Sequence, residues 1–137
     1  MPLISRSING AVDLLKLQSI NRKRYPLLLQ SVAGGNALSR WDILFIANGE
    51  GLQLHAGQTY NLAMQSIDLP FLKALDAVFE QEKCIEQSEL PFTGGWAIYL
   101  GYELAGQIEH RLSLPEFNGP LPDALALRCP AAILYDK

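Results

Sequence analysis

Few side chains in this chain of 137 residues are of a type and spacing that could do chemistry. Its two histidines, His55 and His110, have no second histidine or carboxylate at metal-ligand spacing, and both read as surface or hydrogen-bonded residues. Cys84 and Cys129 lie far apart and outside any C-x-x-C spacing, so neither a zinc site nor a disulfide framework follows, and both are expected as reduced thiols. There is no G-x-S-x-G elbow and no Ser-His-Asp set. Glu80, Glu82, Glu86 and Glu89 read as a solvated face rather than a metal site. The densest run of special residues is PFTGGWAIYLGYE, Pro91 to Glu103. A phosphate cradle needs G-x-G-x-x-G between a strand and a helix, or Gly-Lys-Ser/Thr, and Gly94, Gly95 and Gly101 fit neither. The stretch is instead expected as a buried strand, with a turn or close approach at Gly94-Gly95 and a bulge or bend at Gly101. Glu103 then falls in the first turn of a short helix, a structural place. From the residues alone no catalytic residue and no metal ligand is assigned.

The elements around these residues follow from periodicity and turn chemistry. Gly10 to Arg24 has helical spacing, with Val12, Leu14, Leu15, Leu17 and Ile20 on one apolar face and Pro26 ending it. Leu27 to Leu29 reads as a short buried strand and Gly34-Gly35-Asn36 as a loop. Asp42 to Ala47 is a second strand. Asn48-Gly49-Glu50-Gly51 carries the signature of a hairpin turn into a half-buried third strand, Leu52 to His55. A helix starts near Asp68, with Pro70 in its first turn and Phe71, Leu72, Leu75, Val78 and Phe79 on its apolar face. Leu112 to Asp123 is a loop, and Ala124 to Tyr135 is one apolar strand. The order predicts an α+β fold, mainly an antiparallel sheet with flanking helices, in a single domain spanning 1–137.

Composition narrows the function classes. Half the chain is hydrophobic (49%) and 18% is charged, a globular balance long enough for a core without disulfides or metal. A net charge of −3, with Arg22-Lys23-Arg24 as its only basic run, excludes a nucleic-acid face. The triplet suits a solvated helix end. No leader pattern opens the sequence and no stretch approaches about 18 uninterrupted apolar residues, so no membrane partner is expected and the location read from the sequence is cytoplasmic. The last strand runs almost to Lys137, which looks more like a cut than a natural end.

Three segments in order, LLLQSVAGGNALSRWDILF, PFTGGWAIYLGYE and LPDALALRCPAAILYDK, resemble the N-terminal domain of the chorismate-utilising enzymes. This is the family of anthranilate synthase component I and of aminodeoxychorismate (para-aminobenzoate) synthase component I. The resemblance runs from about Tyr25 to Lys137. Ser39-Arg40-Trp41-Asp42-Ile43 is similar to the Ser-Arg-aromatic-Asp-Ile segment of the aminodeoxychorismate branch, as is Leu121-Pro122-Asp123. Leu28-Leu29-Gln30-Ser31 stands where anthranilate synthases more usually carry Leu-Leu-Glu-Ser. The resemblance implies the N-terminal part of an α/β sandwich that packs on a larger, C-terminal chorismate-binding domain absent from this sequence. It also implies a pocket for L-tryptophan, lined by Leu29, Ser31, Ser39, Arg40 and Trp41. Ser31 would offer a hydroxyl to the zwitterion, Trp41 an aromatic wall, and Arg40 a charge or a stacking plane. Leu38, where the branch can show tyrosine, and Gln30, in place of glutamate or histidine, depart from the pattern.

The same resemblance places catalysis elsewhere. Chorismate-binding residues, a lysine nucleophile and Mg2+-binding glutamates would lie in the absent domain, with a glutamine amidotransferase subunit or domain supplying ammonia. The parent would convert chorismate to 4-amino-4-deoxychorismate for para-aminobenzoate and folate synthesis, while this chain alone would be inactive. The alternatives are the equivalent domain of anthranilate synthase, a free-standing amino-acid-binding module, and a purely structural docking domain with an exposed sheet edge.

Overall fold

Alternating burial along two groups of strands organises the protein. The computed structural model describes residues 2–32, 35, 39–83, 86–115 and 119–137. Gly34, Asn36 and Leu38, Cys84, and residues 116–118 of the expected loop lie outside the described residues. The described elements are α1 (Leu14–Ile20), β1 (Leu28–Leu29), β2 (Trp41–Ile46), β3 (Gly51–His55), β4 (Gln58–Asn61), β5 (Ser66–Ile67), α2 (Phe71–Glu82), β6 (Gly95–Leu100), a 3-10 turn at Tyr102–Leu104, α3 (Ala105–Ile108), β7 (Ala124–Cys129) and β8 (Ala131–Asp136). The fold is α+β, as expected, with two antiparallel sheets. The chain divides into two compact units, one of Met1–Asn48, Cys84–Gly95 and Cys129–Lys137, the other of Gly49–Lys83 and Trp96–Arg128.

The first unit is built on the order β1-β2-β8. Strand β2 pairs with β8 along its whole length, from Trp41 opposite Asp136 to Ile46 opposite Ala131, and β1 adds only Leu28 opposite Leu44 and Leu29 opposite Ile43. Leu44 is fully buried, and Phe45 meets Phe92 edge to face at 4.8 Å. Helix α1 is shorter than its periodicity suggests. Asp13 caps it by accepting from the Lys16 N–H, and of the apolar residues only Leu14 is buried, while Leu15 and Ile20 are exposed. Residues 22–24 form a turn after it. Leu27 and Leu29 are likewise more exposed than a buried strand would leave them.

The second unit carries the order β5-β4-β3-β7-β6 and a core of Leu52, Leu54, Phe71, Ala74, Leu104, Ala124 and Ala126. Helix α2 begins after Pro70, an N-cap in extended conformation, and presents Phe71 and Ala74 to that core while Phe79 is half exposed. The expected hairpin at Asn48-Gly49 is not one, because β2 and β3 belong to different sheets and Gly49, at φ 89°, turns the chain between them. The true hairpin joins β3 to β4 through Ala56-Gly57, both at positive φ, in the arrangement that suits the strand twist. The carboxylate of buried Asp123 accepts the Ala56 N–H at 3.0 Å and so holds an alanine in a region it seldom enters. The single strand expected over Ala124 to Tyr135 is two, broken at Pro130, which cannot donate to a ladder.

Candidate functional site

The glycine stretch is structural. Gly94 turns at φ 110°, β6 begins at Gly95, and Gly101 ends the strand rather than bulging it. The Gly101 N–H donates to the Asp123 carbonyl at 2.7 Å, and a Cβ there would lie 2.6 Å from the same oxygen. Close backbone approach is the reason for glycine at that place. Glu103 sits in the following 3-10 turn, as expected, but Ile98, Tyr99 and Leu100 are each about half exposed, so the strand is less buried than its composition suggests. His55 bonds Gln53 Oε1 at 3.0 Å and meets the Tyr60 ring, and His110 is exposed. Glu82 pairs with Arg128 at 2.8 Å and Glu80 pairs with Lys83. Among the described residues no three His, Cys, Asp or Glu side chains come together as a metal site.

The five residues expected at a pocket all fall in the first unit, at one end of its sheet. Directly opposed residues share a face, so Leu29, Ile43 and Leu134 form one row, and Trp41 with Asp136 lies two positions along on that same face. Leu29 is half exposed there and Trp41 partly exposed. The Arg40 guanidinium lies 4.7 Å from the centroid of the Trp41 ring and makes a two-pronged ion pair with Asp136 through Nε and Nη2. The pair holds Asp136 below the usual carboxylate range, chiefly by its hydrogen bonds, and raises Arg40 further. Both side chains are about half exposed, so the pairing orients Arg40 on Trp41 more than it stabilises the fold. Ser39 is buried immediately before them, and Leu38 lies outside the described residues.

Ser31 is held from both sides of its peptide backbone. Its N–H donates to Asp42 Oδ1 at 3.0 Å, and its carbonyl accepts from Lys137 Nζ. Lys137 Nζ also meets Asp42 Oδ1 at 2.7 Å, and the Lys137 N–H donates to the Arg40 carbonyl at 3.0 Å, one step past the β2–β8 ladder. Burial pushes the Asp42 carboxyl up, but the hydrogen bond and charge of Lys137, the Ser31 N–H and Gln30 outweigh it, and it stays below its ordinary value. Through these contacts the Ser31 backbone, Arg40 and Trp41 lie at the same end of the sheet. Asp42, Asp136 and Lys137 hold these residues in place, and none of the three is among the five expected at the pocket. A signal was present for Asp42: a lone aspartate between Trp41 and Ile43 in an apolar strand must find a partner if buried.

Comparison with known proteins agrees with this architecture. No protein-family model matches the chain. It is 31% identical over 121 residues to anthranilate synthase component 1 of Acinetobacter calcoaceticus, covering 80% of this chain and 24% of that protein. Its fold matches the crystal structure of anthranilate synthase component I from Streptococcus pneumoniae TIGR4 with a TM-score of 0.59 and 25% identity, over 97% of this chain and 29% of that one. The chain is homologous, at low identity, to part of anthranilate synthase component I. The α+β fold with its two sheets corresponds to an N-terminal region of that component. The chain spans about a quarter of the length of the curated relative it matches.

Proposed function

We propose that this chain is the N-terminal, non-catalytic part of a chorismate-utilising enzyme, and that Leu29, Ser31, Ser39, Arg40 and Trp41 line a pocket for L-tryptophan. The observation that carries the reading is the match of 97% of the chain to one end of a synthase component at 25% identity. In this reading the parent is aminodeoxychorismate synthase component I. Support comes from Ser39-Arg40-Trp41-Asp42-Ile43 and from Gln30 in place of glutamate. The parent would amidate chorismate at C4 with ammonia from a glutamine amidotransferase subunit or domain. The chorismate-binding C-terminal domain would hold the magnesium ion. The part played by this chain is binding and support. A hydroxyl at Ser31 and a guanidinium at Arg40 suit the polar end of an amino acid, and the Trp41 and Leu29 side chains suit its indole.

A second reading, the corresponding domain of anthranilate synthase component I, is favoured by the names of both similar proteins. The two separate by product. The native full-length gene product, given chorismate, Mg2+ and ammonium, is expected to form 4-amino-4-deoxychorismate, read as para-aminobenzoate after a lyase is added. Accumulation of anthranilate would establish the second reading instead, and turnover to neither would remove both.

A further inference from the structure

We propose that the Asp42–Lys137 ion pair is the positioning device of the amino-acid pocket, fixing the Ser31 backbone so that its hydroxyl is left for the ligand. The inference rests on the tryptophan-pocket reading above. Strand β1 stops pairing after Leu29 opposite Ile43, so Ser31, two residues on, has no ladder partner on β2. Its peptide groups are satisfied by side chains instead: the Asp42 carboxylate takes the N–H at 3.0 Å and the Lys137 ammonium takes the carbonyl. The two side chains are closed on each other at 2.7 Å, so three charge-assisted contacts form one ring around a single residue. Such bonds are about twice as strong as neutral ones and fix direction as well as distance. Asp42 is 7% exposed, and these partners offset the cost of burying its carboxylate. The Ser31 hydroxyl, by contrast, makes no hydrogen bond to any described residue. A side chain that needs only order is adequately served by a neutral turn. An ion pair with a largely buried carboxylate, closed on one serine backbone at the edge of a sheet, is what a site needs when a hydroxyl must be presented at a fixed place.

Asp42 and Lys137 act through Ser31, and that separates positioning from mere stability. The experiment is equilibrium dialysis of L-tryptophan and of indole against the native full-length gene product and its Asp42→Asn, Ser31→Ala and doubly substituted variants. Asp42→Asn is expected to weaken tryptophan binding by roughly tenfold or more, the order carried by a charge-assisted hydrogen bond. Indole, which lacks the zwitterion, should bind within about threefold of the original protein. In the Ser31→Ala background Asp42→Asn should cost little further affinity, because the two act as one unit. Lys137→Gln, at a one-third exposed side chain, should show the same pattern and serves if Asp42→Asn does not fold. The inference is overturned if tryptophan binding is unchanged, if tryptophan and indole weaken equally, or if the losses from Asp42 and Ser31 simply multiply. Absence of tryptophan binding by the unsubstituted protein removes the pocket reading itself, a different result from any of these.

Discussion

Replacing Gly101 by alanine tests whether the glycine stretch is held by backbone proximity. Gly101 has φ −75°, so alanine meets no conformational penalty there and any cost comes from space. The added Cβ would lie 2.6 Å from both the Asp123 carbonyl oxygen and Glu103 Oε2. Glu103 is a flexible side chain and can swing away. Asp123 cannot move as easily, because its N–H donates to the Leu54 carbonyl at 2.8 Å and its carboxylate holds the Ala56 N–H at 3.0 Å. Relief therefore means pushing the backbone of Asp123 away by several tenths of an ångström and weakening the 2.7 Å bond from the Gly101 N–H. Overpacking of this kind costs about 1–3 kcal/mol and a lost hydrogen bond about 1 kcal/mol, so Gly101→Ala should lower stability by roughly 2–4 kcal/mol. Gly106 is the control. It lies in α3, a Cβ there meets nothing within 4 Å, and alanine should be neutral or stabilising by about 0.5–1 kcal/mol. Urea unfolding followed by circular dichroism compares both variants with the unsubstituted protein. A Gly101→Ala midpoint at or above that of the unsubstituted protein would refute the reasoning.

Three further outcomes follow from burial and charge. Phe71 is fully buried in the core of the second unit, and Phe71→Ala should lower unfolding stability by about 3–5 kcal/mol in the same urea assay. Thr59 Oγ1 is buried with no hydrogen-bond partner among the described residues, so Thr59→Val should raise stability by about 1 kcal/mol. A loss of similar size would mean that the hydroxyl is satisfied. Asp42 and Asp136 both have carboxyls held below their ordinary range, so their contribution is fully present above about pH 4 and is lost as the pH falls through their folded values. Stability on acidification below about pH 4 should therefore fall more steeply in the unsubstituted protein than in Asp42→Asn with Asp136→Asn. Parallel pH curves would contradict that.

The parts of the fold that sequence reveals are those fixed by local pattern. The apolar run of β2, the alternation of β3 and the face of α2 that buries Phe71 all follow from spacing, and they are present. What local pattern misses is pairing over long separation. Asn48-Gly49 looks like a hairpin because it stands between two apolar strands, but β2 is claimed by β8 at the far end of the chain. The hairpin that does exist uses Ala56, a residue no turn rule favours at positive φ, and it is held by the Asp123 carboxylate from outside the local sequence. Helix α1 fails in the opposite direction, since its periodicity is real but the described residues bury only Leu14 of its apolar face. The five residues expected at a pocket come from a motif, and three of them, Ser31, Arg40 and Trp41, lie at one sheet end. The contacts of Asp136 and Lys137 with them were not legible, because nothing near those two in sequence shows that β8 closes against β2.

Chorismate turnover is the most direct test of the central claim, that this chain is the non-catalytic part of a chorismate-utilising enzyme. The native full-length gene product and residues 1–137 alone are each incubated with chorismate, Mg2+ and ammonium, and loss of chorismate is followed by chromatography. The account predicts turnover by the full-length protein and none by residues 1–137. Turnover by residues 1–137, or its absence from the full-length protein, would contradict it.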